Sequence, residues 1–119
     1  MELKLPFQRV PFIKPSASPA IYQMRCKVYT LVKRYEKCIM RFQTMVEEKH
    51  VYEFASILQG YPFVTPSGKF VFSDPVKAAI MQAVNPNDVK VVGAIESIKE
   101  GTVVEVVFVR KELNERFDD

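Results

Sequence analysis

Between Ser18 and Glu48 the apolar and polar residues support two periods, and the choice between them sets the rest of the reading. At 3.6 residues per turn, Ile21, Met24, Val28, Leu31, Val32, Tyr35, Cys38, Ile39, Phe42, Met45 and Val46 fall within one arc, the signature of an amphipathic helix. Ser18-Pro19 strengthens that reading, with a hydroxyl cap followed by proline at the first helical position. At a period of two, Met24, Cys26, Val28, Thr30 and Val32 alternate with Arg25, Lys27, Tyr29 and Lys33, and Cys38 to Val46 would form a second strand. That hairpin would turn at Lys33-Arg34-Tyr35-Glu36, which holds no Gly, Pro, Asn or Asp. It would also bury Thr30 and Thr44 while exposing Leu31 and Ile39. The pattern therefore predicts one long helix over about 19–48.

The remaining elements follow from local signals. Pro6, Pro11 and Pro15 space out an apolar N-terminal stretch and predict an extended arm over 1–17. A second helix is expected over Val51–Gln59, closed by Gly60 with Pro62 beyond it. Phe63-Val64 and Lys69–Phe72 flank the turn Thr65-Pro66-Ser67-Gly68 and predict a short hairpin. Asp74-Pro75 opens a third helix through Val84, ended by Asn85-Pro86-Asn87-Asp88. Val89–Ile98 and Thr102–Arg110, rich in Val, Ile and Phe around Gly101, predict a C-terminal β-hairpin whose second strand is central and covered by helices. The expected fold class is α+β: an extended arm (1–17), then a single domain over 18–119. That domain would hold the long amphipathic helix, two shorter helices and a small antiparallel sheet with a C-terminal hairpin at about 89–110.

Length and composition change this picture little. The chain has 119 residues, 48% apolar and 26% charged, enough for one core. No apolar run is long enough to cross a membrane and the first residues do not resemble a secretory leader, so a cytoplasmic location is expected. Charge adds more. Residues 1–50 hold ten Lys or Arg against four Asp or Glu, a net of +6, whereas residues 51–119 hold seven against ten, a net of −3. Such segregation attracts polyanions or acidic partners.

Candidate chemistry is sparse. Cys26 and Cys38 would lie ~18 Å apart on one helix, too far for a disulfide, with Cys38 in the core and Cys26 on the basic side. The single histidine, His50, has no second ligand near it and reads as a favourable cation near the end of the long helix. Ser67-Gly68-Lys69 lacks the first glycine and the trailing hydroxyl of a phosphate loop. Glu47, Glu48 and Glu53 read as solubilising charge. No catalytic, metal or cofactor constellation stands out, so a non-enzymatic protein is expected. The positive signal is Lys27, Arg34, Lys37 and Arg41, which would line one edge of the helix and could track a phosphate backbone of DNA or RNA. A helix of that length would outreach a small domain, so a homodimer or higher oligomer is expected too. The competing expectation is a protein-interaction or assembly module without a nucleic-acid role.

Overall fold

The computed structural model describes residues 20–32 and 35–111. Seven elements follow in order: β1 (Ile21–Val32), β2 (Tyr35–Glu47), α1 (Glu48–Ile57), β3 (Phe70–Val71), α2 (Asp74–Ala83), α3 (Val89–Glu96) and β4 (Val103–Lys111). The class is α+β, with three helices and one antiparallel sheet in the order β2-β1-β4-β3. The expected arm and the C-terminal tail lie outside the described residues.

The long helix is not formed. Residues 21–32 and 35–47 are two strands of twelve and thirteen residues, paired from Ile21–Glu47 to Val32–Tyr35. The reason is tertiary. β1 is also paired along nine residues with β4, from Ile21–Lys111 to Tyr29–Val103, so its backbone groups are satisfied on both sides. Alternation then sends Tyr22, Met24, Cys26 and Val28 into the core. No helix could use β4 that way, and propensity yields to such pairing. The features that weighed against a hairpin are present: Leu31 and Ile39 are exposed, and Thr44 is half-buried with its hydroxyl 3.4 Å from Asp88.

The C-terminal hairpin is corrected by half. Val103–Lys111 is a strand between β1 and β3, central as expected. Val89–Glu96 is a helix, because the Asp88 side chain accepts from Val91 N–H and caps it. Val91 and Ile95, four residues apart, then face the core together. The expectation there followed the β-branched composition and missed the cap.

Other elements match closely. α1 begins three residues earlier than expected, and Gly60 beyond its end has φ +78°. α2 starts after Ser73 with proline in its first turn. The small hairpin exists as the Val64–Phe70 bridge and β3, with Thr65 N–H donating to the Lys69 carbonyl at 2.8 Å and Gly68 at φ +83°.

All three helices cover one face of the sheet. Val51, Phe54 and Leu58 of α1, Val76 and Ile80 of α2, and Val91 and Ile95 of α3 join a single cluster with Met24, Val28, Phe70, Val104 and Val106. Each large side chain buried in this way stabilises the fold by about 1.5–3 kcal/mol. The opposite face presents Ile21, Gln23, Arg25, Lys27 and Tyr29 from β1, with their partners on β2 and β4. No helix residue of the core belongs to it. Gln23, Val103 and Lys111 on this face are nonetheless buried, whereas Arg25, Lys27, Arg41 and Gln43 are exposed.

Candidate functional site

One register shift decides which basic residues meet. Val28 faces Met40, but Tyr29 faces Cys38, so Ile39 is an extra residue in β2. Directly opposed residues share a face of the sheet. Lys27 and Arg41 are such a pair and stand side by side on the open face. Beyond the shift Lys37 opposes Thr30 and so projects from the other face. Of the predicted row Lys27, Arg34, Lys37 and Arg41, the fold brings together the first and the last. It separates Lys37, and Arg34 lies outside the described residues.

A third cation replaces them. Arg25 lies two residues before Lys27 on the same strand, about 6.7 Å along it and on the same face. Its Nε donates to Gln23 Oε1 at 2.6 Å, which fixes the guanidinium over the sheet. Arg25, Lys27, Arg41 and Gln43, with Cys26 and Phe42 of the same strands, line a shallow cavity of about 610 Å³. Neither Lys27 nor Arg41 forms an ion pair among the described residues. Arg25 was legible in the sequence only under the period of two, where it alternates with Met24 and Cys26.

Acidic groups bound this patch. Glu105 of β4 opposes Lys27 from the other side, but its carboxylate accepts from Tyr29 Oη at 3.4 Å. Lys69 Nζ sits 4.8 Å over the Tyr29 ring and pairs with Glu36 at 2.9 Å, tying the tip of the β1–β2 hairpin to the Thr65–Gly68 turn. Burial pulls the Lys69 ammonium down, but the hydrogen bond and charge of Glu36, with Glu105 behind it, leave its pKa above the ordinary value. Lys69 is therefore a pinned cation, unsuited to act as a base toward Ser67 Oγ at 3.1 Å. Burial and Glu105 likewise raise the pKa of Tyr29, so its ring and hydroxyl are both committed.

The other candidate residues change places. Cys26 is the core thiol and Cys38 the half-buried one, the reverse of the helical expectation, and both are free. Burial, then Glu105, pushes Cys26 from 9.0 up to about 12. A thiol reagent at neutral pH should therefore label Cys38 first and Cys26 only on unfolding, as peptide mass spectrometry would read; equally fast labelling of both would contradict the placement. Between pH 9 and about 12 the folded state keeps a Cys26 proton that the unfolded chain has lost, so stability should fall as pH rises through that window. His50 lies in the first turn of α1, at the N-terminal end of a helix and not near a C-terminal one, with Nδ1 2.8 Å from Glu53 Oε1. Glu48, expected to be solvated, is buried. Among the described residues no group of His, Cys, Asp or Glu could hold a metal ion, and no helix is long and apolar enough to cross a membrane.

Compared with protein-family models, curated proteins and solved structures, the chain matches none, so the meaning of this face rests on its own residues.

Proposed function

We propose that the protein is a non-enzymatic nucleic-acid-binding protein that works through the open face of its sheet, not through a basic helix. The observation that carries this reading is the Lys27–Arg41 pair. Like charges directly opposite each other on a sheet are destabilising, and among the described residues neither side chain forms an ion pair, although Glu105 of β4 stands opposite Lys27 on the other side. Arg25 adds a third positive charge at the same cavity. A chain of phosphates offsets that repulsion and gains charge-assisted contacts, with affinity that falls as salt rises. The test is a fluorescence-anisotropy titration of labelled DNA and RNA oligonucleotides at low salt with Lys27→Glu, Arg41→Glu. Unchanged affinity in that variant would remove this face from the function.

A second reading rests on β2, which lies at the edge of the sheet with thirteen residues and carries exposed Tyr35, Ile39 and Met45. A long edge of this kind favours pairing with another chain. If β2 joins two copies, light scattering should give twice the 13.7 kDa chain mass, and Ile39→Lys with Met45→Lys should return it to one. A single-chain mass for the wild type would dismiss this assembly.

A further inference from the structure

We propose that the nucleic acid taken by the open face is an extended single strand, its phosphates along Arg25, Lys27 and Arg41 and its unpaired bases over Val107 and Val109. This inference rests on the nucleic-acid reading above. It adds the form of the ligand, and the arrangement of neighbouring rows carries it.

The cations occupy two neighbouring strands at one side of the sheet. Arg25 and Lys27 sit on β1, and Arg41 stands beside Lys27 on β2, at the edge of the sheet. Side chains two residues apart along a strand recur at about 6.7 Å, close to the separation of successive phosphates in an extended single strand. On the other side lies β4, whose residues on this face are apolar apart from Glu105 and Lys111. Arg25 opposes Val107 and Gln23 opposes Val109, and both valines are half-buried. Neighbouring strands are about 4.8 Å apart, so a polymer with phosphates over β1 and β2 would lay its next few ångströms on these valines.

A single strand has that cross-section, with charge along one side and apolar base faces along the other. A duplex does not, because its bases are stacked inside and its second backbone returns across a groove about 6 or 12 Å wide. Over the middle of β4 the second backbone would meet the Glu105 carboxylate beside Val107, where that strand carries no cation. Tyr29 offers no free ring, since Lys69 covers it. Base contacts here are therefore apolar packing without edge recognition, which implies weak sequence preference.

The experiment uses the full chain and three labelled probes at one salt concentration: a mixed-sequence single strand, the same strand annealed to its complement, and inorganic polyphosphate. The single strand should bind about tenfold more tightly than the duplex or polyphosphate. Val107→Asn, checked for folding by circular dichroism, should lose about fivefold on the single strand and leave polyphosphate unchanged. A duplex that binds as tightly as the single strand overturns this inference and leaves the nucleic-acid reading standing. Polyphosphate equal to the single strand, or full single-strand affinity in Val107→Asn, removes the role of the valines and overturns it as well. If neither nucleic acid binds, the nucleic-acid reading itself fails.

Discussion

Replacing Phe54 with alanine should destabilise the fold by about 3–5 kcal/mol, the largest loss expected from any one side chain. Phe54 is fully buried on α1 and holds three elements together. Its ring meets Phe108 of β4 edge-on at 5.1 Å and Phe70 of β3 at 6.3 Å. Truncation removes the transfer energy of the ring, leaves a cavity between helix and sheet, and deletes two edge-to-face contacts of about 0.5–1.5 kcal/mol each. Domains of this size are stable by only about 5–15 kcal/mol, so the variant should sit near its unfolding midpoint. Urea unfolding followed by circular dichroism should show a much lower midpoint with an unchanged slope. Phe63→Ala is the matching control. Phe63 is 62% exposed and touches Tyr61 at its rim, so its loss should cost less than about 1 kcal/mol.

The second large effect concerns binding. Lys27→Glu with Arg41→Glu should weaken single-strand affinity at low salt by about a hundredfold or more. It should also flatten the salt dependence by about 0.7 for each phosphate that is no longer neutralised. The double reversal removes two cations and places two carboxylates at the patch, one of them directly opposite Glu105, so the site becomes repulsive. Stability should move differently. Arg41→Glu alone turns a like-charged cross-strand pair into an opposite one, which is favourable by about 0.2–1 kcal/mol. The single variant should therefore unfold no earlier than the wild type while it binds worse. A residue kept only for the fold would not separate the two measurements in this direction.

Much of the fold was legible wherever local chemistry and tertiary packing agree. Asp74-Pro75, the Thr65–Gly68 turn and the Val103–Lys111 run each carry signals that no neighbour contradicts. The reading failed where packing decides. Residues 21–47 contain enough apolar positions to fill a helical arc, and their strand identity depends on β4, some eighty residues away in the chain. Val89–Glu96 failed the other way: its valines favour a strand, but the Asp88 cap and the core contacts of Val91 and Ile95 hold a helix.

The candidate site inherited the first error. Lys27 and Arg41 share a side on either reading, about 21 Å apart along a helix edge or directly opposed across a hairpin. Arg25 and Lys37 do not. Arg25 enters only with the strand period, and Lys37 leaves only because the extra residue at Ile39 turns it to the other face. A bulge of this kind has no sequence mark here, since Cys38, Ile39 and Met40 alternate in neither glycine content nor charge.

That difference between Arg41 and Lys37 gives the most direct test of the whole account. Single-strand affinity is to be measured at about 0.1 M salt, where the Debye length is about 10 Å, for Arg41→Glu and for Lys37→Glu. On the hairpin, Arg41→Glu loses most of the binding. Lys37→Glu, with the sheet and about a Debye length between it and the patch, stays within about threefold of the wild type. Equal losses from the two variants would contradict the account, because that is the result a single basic helix edge would give.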